Sequence, residues 1–330
     1  MVKIAVDMMG SDLGPEELSK GLVRFLSEYE DAEAVAFGDS QVLQGTLHGV
    51  ERVEIQAAET VVPMEVSPFV FLRKYSRSSM YLACQKAGSD DSIAAVVSSG
   101  STGGFLVGCH TKVGRLPGVA REGLAAPMIT AVPGFKTLIL DIGANNTCTG
   151  NELVCFAKMG EAYARKVFGR ENPKVFLLSN GVEEGKGLKE TVDAYELLKG
   201  QPYFGGMCEA RDALDGQKDV VVTTGYPGNI FLKCTEGTAV MIMGMLKKAF
   251  TKNLFTKIGY LLAKPGLREM KKNMDYRETG GAILLGVKKV AVKSHGNSNA
   301  YAFYNALKLA YSTVKSGAVS AIAKEIAHEG

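Results

Sequence analysis

The stretch that decides the fold occupies residues 93–104 and reads Ile93-Ala94-Ala95-Val96-Val97-Ser98-Ser99-Gly100-Ser101-Thr102-Gly103-Gly104. Its first half is a short apolar run of the kind that forms a buried strand. Its second half contains only Ser, Thr and Gly. Glycine lets the backbone turn tightly and point successive N–H groups into one concavity, which suits an anion. A tight turn that binds nothing has the same pattern. A single such loop therefore does not indicate a binding site, whereas several of them after successive strands do.

The pattern recurs along the chain. We predict strands at Lys3–Asp7, Ala34–Phe37, Val53–Ala57, Ile93–Ser98, Thr137–Ile142, Val175–Ser179, Asp219–Thr223 and Val290–Lys293. Amphipathic helical stretches alternate with them, which predicts an α/β fold with three α/β/α layers around a large, mostly parallel sheet. Small or polar residues follow most of these strands, at 7–12, 141–146, 179–181, 223–229 and 293–297. Since ligands bind at the carboxyl ends of such strands, we expect these loops to meet there.

Composition limits the class of protein. The chain has 330 residues, 46% hydrophobic and 22% charged, which is typical of a globular enzyme, and its net charge of +3 is too small to indicate nucleic-acid binding. No apolar run approaches the ~20 residues of a membrane span, and the chain enters a strand directly, without a signal peptide. Six cysteines without a CxxC pair argue against zinc fingers and a disulfide framework. We therefore expect a reduced, cytoplasmic protein.

Several familiar motifs are absent or incomplete. Residues 181–187 resemble a P-loop, but the spacing is one residue short and Gly187 stands where Ser or Thr should hold Mg²⁺. No dinucleotide fingerprint, zinc-peptidase motif or hydrolase nucleophile elbow is present. Cys109 and His110 are adjacent, and neighbours on a helix point to different faces, which favours a structural role. His295, two residues after Lys293, is either a satisfied loop histidine or part of a cationic pair for a phosphate or carbonyl oxygen.

The segment 247–275 is strongly basic. Eight basic residues against Glu269 and Asp275 give it a net charge of +6, and apolar residues recur between them at helical spacing. Such a pattern is typical of a core-facing helix with a solvated basic face. It also fits a peripheral helical hairpin over Lys247–Lys272 that touches anionic lipid or an acidic protein. We find no linker anywhere in residues 1–330. The chain is therefore predicted to form a single domain, built as one unit or as two intertwined lobes of non-contiguous segments.

Short blocks of sequence that resemble the motifs of one known family occur in the family's order along essentially the whole chain. They are residues 4–12, 73–74, 78–80, 99–103, 113–115, 141–145, 184–187, 209–212, 225–229, 264–271, 280–282 and 293–296. In this order and spacing the chain resembles the PlsX family of acyl-carrier-protein:phosphate acyltransferases. The resemblance implies an isocitrate/isopropylmalate-dehydrogenase-like fold, a homodimer, no metal ion or organic cofactor, and loose association with the membrane.

The function implied by the resemblance is phosphate attack on an acyl thioester held by acyl carrier protein, giving acyl phosphate for phospholipid synthesis. This reaction needs an anion cradle for inorganic phosphate, hydrogen-bond donors for the developing oxyanion, and alignment of the reactants. We expect the catalytic residues to be Lys186, Asn229, Lys293 and His295. The predicted binding residues are Asp7, Gly10, Ser11, Asp12, Ser78, Ser79, Ser99, Gly100, Ser101, Thr102, Gly103, Gly143, Ala144, Asn145, Gly225 and Gly228. Asp7 and Asp12 are expected to orient the loops.

The chain departs from the usual family pattern at several loops. Neutral residues replace a His at Leu13, charged residues near Thr147 and Thr149, and an Asp at Thr224. These changes predict weak turnover of long-chain acyl-carrier thioesters. Two alternatives follow. One is an acyltransferase for a different thioester with a Cys-bound acyl group on Cys148, similar to component C of glycine reductase. The other is a non-catalytic homologue that binds a carrier or a membrane.

Overall fold

The structure is a computed structural model that describes residues 1–273 and 276–327. Within those ranges the chain forms one eleven-stranded sheet. All eight predicted strands are present, and three unpredicted strands join them. The strands are β1 (Val2–Asp7), β2 (Ala32–Gly38), β3 (Val53–Ala57), β4 (Ile93–Ser98), β5 (Gly123–Ile129), β6 (Lys136–Leu140), β7 (Val175–Ser179), β8 (Phe204–Glu209), β9 (Val220–Val222), β10 (Ala282–Leu285) and β11 (Val290–Lys293).

The sheet has two halves that run in opposite directions. The strand order is β3-β2-β1-β4-β11-β10-β5-β6-β9-β7-β8. Strands β1 to β4 and β11 are parallel, as are β6 to β9, but the contacts β11–β10, β10–β5 and β5–β6 are all antiparallel. Three reversals leave β6 antiparallel to β11. The expectation that all the polar loops meet at one edge is therefore wrong: carboxyl ends of the two halves point to opposite edges.

Helices cover both faces of this sheet, which confirms the three-layer α/β/α prediction. They are α1 (Gly14–Glu28), α2 (Ser40–Thr46), α3 (Pro68–Lys74), α4 (Ser79–Ser89), α5 (Thr102–Gly108), α6 (Gly150–Val167), α7 (Lys189–Leu198), α8 (Gly225–Thr251), α9 (Leu254–Asn273), α10 (Ala300–Ser316) and α11 (Ala318–Ala327). One hydrophobic core lies under α1, α2, α6, α7, α10 and α11, and the other lies under α3, α4 and α5. A π-helical turn, Cys109–Val113, continues α5. The division into one domain or two lobes stays a prediction.

Helix α8 and helix α9 form a hairpin whose turn lies at residues 252–253, so its first arm begins well before the predicted segment Lys247–Lys272. Only Gly225 and Gly228 of α8 are buried, whereas Phe255 and Leu262 of α9 are more than 80% exposed. Asp275 and the side chains of Glu269, Lys271 and Lys272 lie outside the described residues. Among the helices described, none is both long enough and apolar enough to span a membrane.

Candidate active site

The Ser/Gly loop after β4 is anchored on a buried aspartate at the end of β1. Asp7 accepts hydrogen bonds from Oγ of Ser79 and Oγ of Ser98, both at 2.6 Å. The Ser98 hydroxyl in turn accepts from the backbone N–H of Gly100 at 3.0 Å. A Cβ on Gly10 would lie 2.5 Å from the Gly100 nitrogen, so the loops after β1 and β4 approach as closely as glycine permits. Asp7 thus orients the loops, as expected.

Lys293 brings a cation to the same place. The residue is only 7% exposed, and its Nζ donates to the carbonyls of Ser99, at 3.4 Å, and Ser294. Burial lowers the pKa of Lys293 to about 8, while the charges of Asp7 and Asp12 act in the opposite direction. Burial likewise raises the pKa of Asp7, against its hydrogen bonds and the nearby Lys293. A buried lysine with a pKa this close to neutrality is typical of functional sites.

A second loop, after β6, is organised around its own buried aspartate. Asp141 accepts backbone N–H groups from Gly143, Ala144 and Asn145 at 2.8–3.0 Å, and also the Asn145 side-chain amide at 2.8 Å. Burial raises the pKa of Asp141 and these hydrogen bonds lower it. The start of α8 packs against this loop, where a Cβ on Gly228 would lie 1.8 Å from the Asp141 carbonyl oxygen. No larger residue fits there.

The two halves face each other across a cavity of about 910 Å³. Five of the predicted site residues line it, namely Thr102, Gly143, Asn229, Lys293 and His295. Burial lowers the pKa of His295, and the neighbouring Lys233 acts in the same direction. Although the two sets of strands end at opposite edges of the sheet, the cavity lies over the central antiparallel strands and collects residues from both sets.

The floor of this cavity is apolar and comes mainly from strands that the sequence analysis missed. Leu124, Ala126 and Met128 alternate along β5, and Ala282 lies on β10. Strand β5 contains Pro127 and β10 has only four residues, so neither has a strong periodic signal. The alternation Leu124-x-Ala126-x-Met128 is the one pattern that could have revealed β5.

Several predicted binding residues hold the loops and do not line the cavity. Ser78 and Ser101 cap helices α4 and α5 through backbone N–H groups. Ser11 donates to the Ser298 carbonyl at 3.1 Å and accepts from the backbone N–H of Leu13. Ser99 is fully buried, and its hydroxyl has no partner among the described residues. Gly10 and Asp12 lie in the loop after β1, Gly100 lies in the loop after β4, and Gly225 and Gly228 lie at the start of α8.

Two predicted reactive residues are poorly placed for chemistry in this cavity. Lys186 is exposed in the loop after β7 and does not belong to the lining that the described residues form. Cys148 is buried, and that burial raises the pKa of its thiol to about 12. A thiol with such a pKa holds little nucleophilic thiolate near neutral pH. Neither residue belongs to the lining that the structure describes for this cavity, and the roles predicted for Cys148 and Lys186 stay predictions.

The altered loop residues also have structural roles. Thr149 is the N-cap of α6, where its hydroxyl accepts from the Glu152 N–H and the Glu152 carboxylate accepts from the Thr149 N–H. Thr224 precedes α8 without a side-chain cap, and Leu13 precedes α1 in the same way.

The family profile of the fatty acid synthesis proteins matches residues 2–321. The chain belongs to this family, the PlsX family. The prediction from the ordered sequence blocks is thereby confirmed. The phosphate acyltransferase of Thermoanaerobacter pseudethanolicus is 39% identical over 330 residues, covering all of this chain and 98% of that protein. The phosphate acyltransferase of Streptococcus agalactiae is 42% identical over 311 residues, or 93% of this chain and 94% of the relative.

Solved structures with a similar fold are more distant in sequence. A phosphotransacetylase from Streptococcus pyogenes superposes with a TM-score of 0.63 at 18% identity, over 97% of this PlsX-family chain and 94% of that one. A branched-chain phosphotransacylase from Enterococcus faecalis gives 0.60 at 14% identity, with coverages of 95% and 99%. At these identities the likeness shows the shared fold.

Proposed function

We propose that this PlsX-family chain is a phosphate acyltransferase that transfers an acyl group from a thioester to inorganic phosphate. Full-length relatives of the same family carry that name at 39–42% identity. The observation that carries the proposal is the buried Lys293 at the wall of a cavity with a largely apolar floor. A cation for phosphate and apolar space for an acyl chain are thus adjacent.

The proposed reaction requires one displacement. A phosphate oxygen attacks the thioester carbonyl carbon, the C–O bond forms as the C–S bond breaks, and the leaving thiolate takes up a proton. Protonated Lys293 and the Thr102 hydroxyl bind phosphate. Asn229 on α8 and His295 in the loop after Lys293 offer hydrogen-bond donors. Alignment and charge stabilisation of this kind supply most of the catalysis in such transfers.

The acyl chain has a separate location in this proposal. Leu124, Ala126 and Met128 of β5 form an apolar floor, and Phe231 and Leu232 of α8 lie beside it. Apolar area removed from water contributes about 25 cal/mol per Å², so an extended chain on this floor is held independently of the phosphate.

The carrier and the location belong to the same proposal. We take the thioester to be held by acyl carrier protein in the cytoplasm, and the exposed α8–α9 hairpin to serve the homodimer and the surface of an anionic membrane. The hairpin combines exposed Phe255, Leu261 and Leu262 with Lys252 and Lys257. Each basic residue near an anionic surface adds about 1 kcal/mol of binding energy.

Membrane contact is tested by sedimentation with vesicles of anionic or zwitterionic lipid. Binding should require anionic lipid, decrease as salt rises, and weaken in the double variant Lys252→Glu, Lys257→Glu. Binding that ignores lipid charge and both substitutions contradicts this part of the proposal. The dimer is tested separately by the mass of the protein in solution.

The activity is tested by measuring acyl phosphate formed from acyl-carrier thioesters of several chain lengths with inorganic phosphate. Formation that depends on phosphate and disappears in Lys293→Met supports the proposal. A protein that binds the carrier without forming acyl phosphate from any thioester is instead the non-catalytic homologue. A stable acyl adduct on Cys148 indicates the thioester-exchange alternative.

A further inference from the structure

A second cavity of about 450 Å³ lies beside the first and has no role in the reaction described above. Its wall comes from α5 with its π-helical turn, the segment before β5, the loop after β6, the start of α6, and β10. Short π-helical turns occur frequently at functional sites, and this one carries His110 into the wall.

Three elements contribute residues to both cavities, so the two cavities are neighbours. Thr102 of α5 lines the first cavity, whereas Leu106 of α5 and His110 of the π-helical turn line the second. At ~1.5 Å per residue, Thr102 and His110 are roughly 12 Å apart along the helix axis. In the loop after β6, Gly143 lines the first cavity and Asn145 lines the second.

Strand β10 shows the same continuity on the floor. Ala282 lines the first cavity, and Leu284, two residues along on the same face, lines the second. Leu284 pairs directly with Leu124 of β5, which belongs to the first cavity. The two cavities therefore lie side by side over the central strands.

The second cavity has an apolar wall and a polar rim. Leu106, Val107 and Leu284 form the apolar part. On the rim, the His110 ring lies 2.8 Å from the Glu122 carboxylate. The side-chain amide of Asn145 donates to the Glu122 carbonyl at 2.7 Å, which ties this rim to the loop organised by Asp141.

The charges of this cavity leave one cation available. The Glu122 carboxylate is paired with His110, and Arg121 lies 3.3 Å from the Glu152 carboxylate. Arg115 is exposed and donates one hydrogen bond to the Ala120 carbonyl, at 2.8 Å, without a salt bridge to any described carboxylate. Its guanidinium can still offer a forked pair of donors to a phosphate group.

We propose that the second cavity binds the arm of the acyl thioester, an amide-bearing chain that ends in a phosphate ester, as phosphopantetheine does. Its phosphate binds Arg115, its hydrocarbon part packs on Leu106 and Leu284, and its thioester reaches the first cavity near Thr102. An extended two-amide arm of roughly 15 Å, at about 3.5 Å per backbone unit, is longer than the roughly 12 Å that separate Thr102 from His110 along the helix axis, so it can reach from one cavity to the other. This inference rests on the proposed function, because it assigns part of the same substrate.

The experiment compares two small thioesters of one acyl chain, acyl-phosphopantetheine and acyl-pantetheine, which differ only in the terminal phosphate. Wild-type protein should use the phosphorylated thioester with a kcat/KM at least about tenfold higher. Arg115→Ala should bring the ratio of the two values close to one, and Arg115→Lys should give an intermediate ratio. Arg24→Ala, which removes the same charge on α1, should keep the wild-type ratio.

Equal use of the two thioesters by wild-type protein, or an unchanged ratio in Arg115→Ala, overturns the inference while the proposed function stands. If no thioester yields acyl phosphate, the proposed function fails, and calorimetry with free phosphopantetheine decides the inference by itself. Binding by wild-type protein that weakens at least about tenfold in Arg115→Ala supports the second cavity as the site, whereas equal binding by both proteins contradicts it.

Discussion

Two buried aspartates follow strands in opposite halves of the sheet, and they are held in different ways. Asp7 accepts hydrogen bonds from hydroxyl groups of two other segments, those of Ser79 and Ser98. Asp141 accepts mainly backbone N–H groups of its own loop, from Gly143 to Asn145. The first aspartate ties distant segments together, and the second shapes one loop.

This difference indicates that the two halves of the site have different roles, one electrostatic and one structural. Asp7 has the buried Lys293 nearby, and each affects the pKa of the other. Among the causes that shift the pKa of Asp141, burial is the largest and hydrogen bonds from its loop oppose it. We conclude that the Asp7 half provides the cation of the site, whereas the Asp141 half positions Gly143 and Asn229 opposite it.

The largest expected effect is on activity and belongs to the Asp7 half. Lys293→Met should lower the rate of acyl phosphate formation about 10²–10³-fold, because it removes a preorganised charge from a site largely shielded from water. Lys218→Met is the matched control, since Lys218 is similarly buried but is paired with Asp215 away from the cavity. Comparable losses in both variants would show that any buried lysine matters equally.

The next effect is on stability and belongs to the Asp141 half. Asp141→Asn should lower the free energy of unfolding by about 2–4 kcal/mol, because backbone N–H groups cannot reorient and a buried unpaired donor costs about 1–3 kcal/mol. Asp7→Asn should cost less, since the hydroxyls of Ser79 and Ser98 can rotate toward other acceptors. Urea denaturation measures both values, and the reverse order would contradict the comparison.

The pH dependence should report Lys293. Its pKa of about 8 predicts that phosphate binding weakens as pH rises through 8, by up to about tenfold per unit. In the same range the unfolded chain, with lysine near its ordinary value of 10.5, binds more protons than the folded one, so this group's contribution to stability rises with pH. A loss of activity as pH rises through 8 would therefore not be explained by the effect of Lys293 on stability. Lys293→Arg should shift the alkaline limb upward; a limb that stays in place points to another group.

The smallest expected effect concerns helix caps in the two halves. Thr149→Ala and Asn299→Ala should each cost about 1 kcal/mol, because each removes a side-chain N-cap, of α6 and of α10 respectively. Thr149→Lys should lower the free energy of unfolding by a similar amount. It should not raise turnover, although the sequence analysis attributes weak turnover to the neutral residue at this position. Thermal unfolding and the acyl phosphate assay on the same samples measure both quantities. A rise in turnover in Thr149→Lys would show that position 149 faces the substrate.

Much of the secondary structure of this protein could be predicted from local sequence patterns alone. Eight strands, the Ser/Gly turn after β4 and the helical character of residues 247–272 were predicted because alternation, glycine content and helical spacing are properties of neighbouring residues. The family was also predictable, since ordered blocks of residues carry the resemblance. Thr102, Gly143, Asn229 and Lys293 were predicted site residues from polar stretches at or after strand ends, and all four line the cavity.

Tertiary structure decided the rest. The reversal of direction between β11 and β6 depends on pairing with β5 and β10, whose short or proline-containing sequences have little local signal. The separation of Cys148 and Lys186 from the cavity could not be predicted from position along the chain. Burial of Lys293 against Ser99, 194 residues away, is likewise a long-range property. Because desolvation shifts its pKa, the chemistry of Lys293 exists only in the folded chain.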